Sequence, residues 1–270
     1  MNPLFTIIKE QFKHIPQILQ LAIYNMKSQY SNHYLGVFWN ILQPLMQVAV
    51  YWLVFGMGLR GSGDKLVEGI PFIFHLITGL FPWLFVSQSI NAGAGAIQSN
   101  LGLVTKMKFP SSVLLSISFT NTLFNLLFMT GLVFLITVFY GFVPAWHYVF
   151  LIYFIIAAFP LLFGISLLMS SLVIVIRDTK NILQNVLRLG FFLTPIFWGL
   201  GDVEPILRKI ALLNPFTYLI EIYRFAFVHE TSEVLLTGSE HLYYWSFTLF
   251  MLFIGSLVHS RFKNRLLDYI

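Results

Sequence analysis

Apolar residues fall into six long blocks along the chain: Val37–Met57, Pro71–Ile90, Ser112–Phe139, Tyr148–Ile176, Ile182–Leu200 and Leu242–His259. A helix needs about 20 such residues to cross the hydrocarbon core of a bilayer. Backbone amides in lipid must find their partners inside their own segment, so blocks of this length predict helices. Barrel strands would be about 10 residues long and would alternate apolar with polar. Leu151–Phe159 does neither. The pattern predicts an all-α integral membrane protein with six transmembrane helices.

Ahead of the first block the period changes. Phe5, Ile8, Phe12, Ile15, Leu19, Ala22 and Met26 recur every three or four residues, with Lys9, Glu10, Lys13, Gln17 and Gln20 between them. This predicts an amphipathic helix lying in the inner interface and bent near Pro16. The early apolar run is too short for the h-region of a cleavable signal peptide. The chain therefore divides into an interfacial entry, 1–34, and a six-span domain, 35–270. Between the last two blocks, Val203–Leu213 and Phe216–Val228 are broken by Asn214-Pro215, and each is too short to cross. They are expected to form a re-entrant helix pair in the outer leaflet, covering a pathway. Ala92-Gly93-Ala94-Gly95-Ala96 marks a place where helices can approach closely.

Composition and charge orient this layout. Of 270 residues, 57% are hydrophobic and 10% charged, and the mean hydropathy is +0.79. With the N-terminus inside, the inner segments carry eleven Lys and Arg against three acids, and the outer segments five against eight. Lys and Arg accumulate on the cytoplasmic side, so both termini are expected there. The net charge of +5 is spread by topology and not gathered on one soluble face, which argues against a nucleic-acid partner. Cysteine is absent, which excludes disulfides, thiolate metal sites and cysteine nucleophiles.

Polar residues inside the blocks are the candidate site. Asn40, Gln43, Gln47 and Tyr51 share one helix face, flanked by Trp39 and Trp52. Amides in hydrocarbon are costly unless another helix or a wet cavity satisfies them. The stripe therefore either lines a translocation path or joins helices across a subunit interface. Arg188 lies about two turns into the fifth block, where an ionisable residue is a functional candidate. It either holds a phosphate at the inner leaflet, snorkels to the interface, or pairs with Asp178. Phe192 and Trp198 continue that helix past Pro195, which is expected to kink it. The seven histidines form no metal-ligand spacing, and the chain has no nucleophile elbow and no phosphate-binding Gly-Lys-Ser/Thr loop. If transport is ATP-driven, the ATPase is another chain.

A family resemblance enters with the ordered motifs. Tyr34-Leu35-Gly36-Val37-Phe38-Trp39 with Gln43-Pro44-Leu45, Pro82-Trp83, Lys106-Met107-Lys108-Phe109-Pro110 and Arg177-Asp178 occur in that order. They are followed by Thr194-Pro195-Ile196-Phe197, Leu213-Asn214-Pro215 and Glu221-x-x-Arg224. The set resembles the ABC-2-type polysaccharide export permeases over nearly the whole chain. Within that family, Asn32–Gly36 and Val50–Gly56 are most similar to the wall teichoic acid branch. The resemblance implies a homodimer of this subunit with two copies of an ABC ATPase that uses ATP and Mg, no cofactor being held by this chain. It implies export of undecaprenyl-diphosphate-linked teichoic acid, an anionic polymer, across a Gram-positive plasma membrane. Another lipid-linked polysaccharide, such as capsule or O-antigen, is the alternative cargo. In this reading Trp39, Asn40, Gln43, Gln47, Tyr51, Phe192 and Trp198 line the path, and Arg188 meets the pyrophosphate. Lys106, Lys108, Phe109, Arg177 and Asp178 couple to the ATPase. A membrane-embedded glycan transferase would need an acid, base or metal cluster, and Glu221, Arg224 and His229 are the one outer grouping available. Their expected role is packing. A passive channel would show no dependence on an ATPase.

Overall fold

A computed structural model describes residues 3–31, 34, 36–59, 66–107, 109–140, 145–176, 178–228 and 238–263. Helix α4 (Phe72–Ser99) is the axis of the fold and is buried along most of its length. Around it pack α6 (Ser111–Tyr140), α7 (Val149–Val175), α8 (Thr179–Leu193) and α10 (Pro215–Phe225). Helix α11 (Gly238–Lys263) lies against α7, and a short helix α5 (Leu101–Met107) follows α4. Five stretches are long and apolar enough to cross a membrane: Trp39–Gly58, Phe72–Ser99, Ser111–Phe139, Trp146–Val175 and Gly238–Lys263. They correspond to five of the six apolar blocks. The second helix runs on to Ser99, beyond the block that ended at Ile90, because the Ala-Gly cluster continues it.

Small residues set how closely these helices approach. A Cβ on Gly93 would stand 2.3 Å from Ser166 Oγ, so the Ala-Gly cluster does carry a close crossing of α4 and α7. At the crossing of α7 and α11, a Cβ on Gly255 would stand 2.3 Å from the Gly164 carbonyl oxygen. Backbone meets backbone there, as the absence of both side chains permits.

The expected fifth span takes a different form. Helix α8 has 15 residues and stops at Leu193, so it covers about 22 Å of a hydrocarbon core of roughly 30 Å. Pro195 ends this helix instead of kinking it. Thr194, the residue before the proline, is extended (φ −92°, ψ 142°), as steric clash with a proline ring requires. Turns then lead to α9 (Pro205–Leu213). Helices α9 and α10 meet at Asn214, whose side chain accepts from the Phe216 amide and caps α10. At 9 and 11 residues neither can cross, as expected from the sequence.

The first helix pair is broken near Pro16, as its sequence implies. The break falls at His14, between α1 (Pro3–Lys13) and α2 (Ile15–Ser31), two residues before the proline. Proline fits the first turn of a new helix, where its missing N–H has no partner to lose, so the interruption precedes it. Ile7, Ile18 and Ala22 are buried, while Phe5, Phe12 and Leu19 are exposed. The pair therefore presents one apolar face to the bundle and another outward. After the Gly36–Phe38 turn, α3 (Trp39–Tyr51) continues as a π-helical stretch, Trp52–Leu59. A hairpin of β1 (Leu66–Val67) and β2 (Ile70–Pro71) follows, with Glu68 and Gly69 both at positive φ in its turn.

Candidate functional site

Uncharged polar side chains from α3, α4 and α6 face one another across two connected clefts. The first, about 210 Å³, is lined by Asn40 and Gln43 of α3, Gln88 of α4, and Thr122 and Asn125 of α6. The second, about 410 Å³, adds Asn91, Ser118 and Asn121 and is edged by Met26 of α2. Gln88, Thr122 and Asn125 belong to both. Ser89 and Thr122 hydroxyls lie 2.6 Å apart and tie α4 to α6 beside them. The Oδ1 atoms of Asn91 and Asn121 are buried, with no hydrogen-bond partner among the described residues.

A third cleft, about 220 Å³, holds Gln47 and Tyr51 with Gln184, Arg188 and Phe191 of α8. It shares Ser87 with the second cleft and Leu84 with the first. The polar stripe of α3 is thus divided: Asn40 and Gln43 face neutral amides, and Gln47 and Tyr51 face a cation. Helix α8 is amphipathic, burying Leu183, Leu187 and Phe191 and turning Lys180, Gln184 and Arg188 outward. Among the described residues no ion pair joins Arg188 to Asp178; Arg188 stands in the cleft. Asp178 is exposed at the head of α8.

Aromatic rings close the outer side of the third cleft. Tyr51 lies 5.6 Å from Phe191 and 5.2 Å from Phe197, and Phe55 stacks on Phe197 at 4.4 Å between ring centroids. Phe192 is exposed and lies 6.3 Å from Phe197. Trp198 is turned away from the cleft and donates from Nε1 to the Phe192 carbonyl at 3.4 Å. Trp39 is exposed and does not line any of the three clefts.

Beyond the rings, a buried cap holds one end of the bundle. Arg224 and Glu221 are ion-paired with almost no exposure. Arg224 Nη2 donates to the Pro195 carbonyl at 2.7 Å and to the His75 carbonyl at 3.4 Å. His75 Nε2 donates in turn to the Trp198 carbonyl at 3.1 Å. One guanidinium therefore joins α10, α4 and the turn after α8, which is the packing role expected of this grouping. Burial first, and Glu68 second, push the Glu221 carboxyl up to about 7 against the pull of Arg224. Glu68 accepts from the Gly201 amide at 2.8 Å, tying the hairpin to the same turn. His229 lies outside the described residues.

At the opposite end, Glu10 of α1 accepts from Ser112 at 2.6 Å and from Lys263 at 2.8 Å. Gln11 accepts from Ser116 at 2.7 Å. Burial opposes the charge of Glu10, but the bonds to Lys263 and Ser112 outweigh it and hold the carboxyl below its ordinary range. Phe109 packs on His14 at the break between α1 and α2, with ring centroids 6.1 Å apart. Of the other expected coupling residues, Lys108 and Arg177 lie outside the described residues, as does the side chain of Lys106.

Sequence reasoning missed the α4 and α6 walls of the neutral clefts. The signal was present: Gln88 and Asn91 are three apart, and Ser118, Asn121, Thr122 and Asn125 fall on one face at helical spacing.

Comparison with known proteins places this geometry. The family model described as ABC-2 type transporter matches residues 16–228. The chain is similar to the O-antigen export system permease protein RfbA of Myxococcus xanthus, with 28% identity over 224 residues, 82% of this chain and 84% of that protein. A second RfbA, from Klebsiella pneumoniae, is 26% identical over 91% of this chain and 92% of its own length. The polysialic acid transport protein KpsM of Escherichia coli is 23% identical over 92% and 93% respectively.

Proposed function

Because the chain belongs to the ABC-2 type transporter family, we propose that it is the membrane permease of an ATP-driven exporter of a lipid-linked polysaccharide. The observation that carries this reading is the run of connected clefts, neutral and amide-lined beside α6, cationic beside α8. Amides and hydroxyls exchange hydrogen bonds with sugar hydroxyls without fixing them, which suits a cargo that must be released as well as bound. Arg188 offers a phosphate-binding charge at one place only. The names of the relatives, O-antigen export and polysialic acid transport, favour a glycan cargo over the teichoic acid expected from the sequence. In this reading an ABC ATPase binds the inner face, a second copy of the chain completes the path, and both termini are cytoplasmic in a bacterial membrane.

Replacing Asn40, Gln43 and Gln47 together with Leu tests the path. The variant permease is expressed with its ATPase, and surface polysaccharide is quantified alongside the amount of assembled complex. Assembly at the normal level with export reduced at least tenfold is expected. Export at the level of the unmodified protein from an assembled variant removes the lining role.

A further inference from the structure

We propose that the outward face of α1 is a docking surface for anionic phospholipid, with Phe5, Ile8 and Phe12 among the acyl chains and Lys9 and Lys13 on the headgroup phosphates. Hydrogen bonds fix how α1 is rolled. Glu10 accepts from Ser112 and Lys263, and Gln11 accepts from Ser116. Ile7 is buried on the same side of the helix. Ser112 stands at the head of α6 and Lys263 at the end of α11, and both helices are long and apolar enough to cross a membrane. Helix α1 is therefore held at the level where hydrocarbon gives way to water.

The other side of α1 has no such partners. Phe5, Ile8 and Phe12 are spaced i, i+3 and i+7, and the two rings are 68% and 71% exposed. An apolar stripe at that level enters the boundary between headgroups and acyl chains. Lys9 and Lys13 lie one turn apart along one edge of the stripe, and both are exposed. Among the described residues neither has a carboxylate within ion-pair reach. Glu10 is the one acid of α1, and it is turned inward. The outward face thus offers apolar surface and positive charge with nothing negative beside them.

That combination selects among lipids. A zwitterionic headgroup carries its own ammonium beside its phosphate and gains little from two more cations. A headgroup of net negative charge gains about fivefold in association for each lysine at the surface. A soluble acidic partner would meet the charge but would have to draw both rings out of the bilayer. The preference holds for any cargo and adds a lipid requirement to the exporter reading.

Quenching by brominated lipids tests this surface. The chain has no cysteine, so F12C can carry a single bimane, apolar like the ring it replaces, and F5C serves where the first variant does not fold. The labelled full chain is placed in phosphatidylcholine nanodiscs holding brominated phosphatidylglycerol or brominated phosphatidylcholine at equal mole fraction. The anionic lipid should quench about threefold or more strongly. The ratio should fall to about one in K9Q/K13Q, and also at about 1 M salt, where charges are screened within about 3 Å. K9R/K13R should keep it. Equal quenching by the two lipids, or a preference that survives K9Q/K13Q, overturns the proposal. So does a label that neither lipid quenches, or one whose quenching disappears when the partner ATPase is added, because protein then covers the face. Normal lipid preference in a chain that exports nothing would instead count against the exporter reading, so the two fail separately.

Discussion

Replacing Arg224 with Met keeps most of the side-chain length and removes every donor that the guanidinium supplies to the cap. The guanidinium is fully buried, is paired with Glu221, and serves the carbonyls of Pro195 and His75. Without it, Glu221 is left as a buried carboxyl with no countercharge, a change that costs about 3–5 kcal/mol. At roughly 2–4 °C per kcal/mol for a chain of this size, the melting temperature should fall by about 10 °C. Thermal unfolding of the purified protein in detergent, followed by circular dichroism, reads this directly. The double variant E221Q/R224M removes the stranded acid as well, so its loss should be smaller than the sum of the single losses. R224M melting within about 2 °C of the unmodified protein, or strictly additive losses, would refute the argument that one guanidinium holds three segments.

The same pair fixes a sign for pH. Burial lifts the Glu221 carboxyl from its ordinary 4.5 to about 7. Between those values the folded protein keeps a proton that the unfolded chain has released. The stabilisation is therefore complete below pH 4.5 and is lost as pH rises through about 7. E221Q cannot titrate, so it should remove Glu221's share of the slope across that window, and a slope unchanged by E221Q would exclude Glu221 as its source.

Four further outcomes are expected. G255A should cost about 1–3 kcal/mol in thermal unfolding, because its methyl group lands on the Gly164 backbone, whereas G95A meets nothing within 4 Å and should be neutral or stabilising by up to ~1 kcal/mol; equal melting temperatures for the two would sink the close-crossing argument. N214A removes the cap of α10 and the bond from Asn214 Nδ2 to Thr194 at 3.0 Å, and should cost about 1–2 kcal/mol on the same assay. Glu10 is held in its charged form, so its contribution is present above pH 4.5 and fades as pH falls through its lowered value. Amide protection factors in α1, corrected for the intrinsic pH dependence of exchange, should fall under those acidic conditions. K263A, breaking a partly exposed pair, should cost no more than ~1 kcal/mol at neutral pH.

Most of the architecture was legible because bilayer thickness imposes one length on every crossing helix, and five of the six apolar blocks meet it as helices. The remaining block, the fifth along the chain, is helical only as far as Leu193. Apolarity over Ile182–Leu200 said nothing of where the backbone could stay helical, and Pro195 decided that locally. Helical spacing puts the α3 stripe on one side of its helix, yet a helical wheel has no neighbours on it. Which amides Asn40 and Gln47 face depends on α6 and α8, which approach only after folding. The walls at Asn91 and Asn121 escaped notice because scattered amides in apolar blocks look like helix glue until their bonds are counted.

Arg188 and Arg224 show how burial separates structure from chemistry in residues of one type. Sequence reasoning weighed both by position, one inside a block and one in an outer segment. In the folded chain Arg224 has no exposure and gives its donors to two carbonyls and an acid. Recruiting it to a ligand would mean breaking those bonds and reburying Glu221 unpaired, so it cannot exchange partners at low cost. Arg188 is exposed beside Gln47 and Gln184. On the proposed reading it gives up only water to bind an anionic group of the cargo and recovers that water on release. A transporter needs both properties at different places. The cap must not trade its bonds during a cycle, and the charge that meets the cargo must trade them every cycle. On the proposed reading, that division of labour puts the cargo-facing groups on α3, α8 and the polar faces of α4 and α6, and the fixed frame on α7, α10 and the buried remainder of α4.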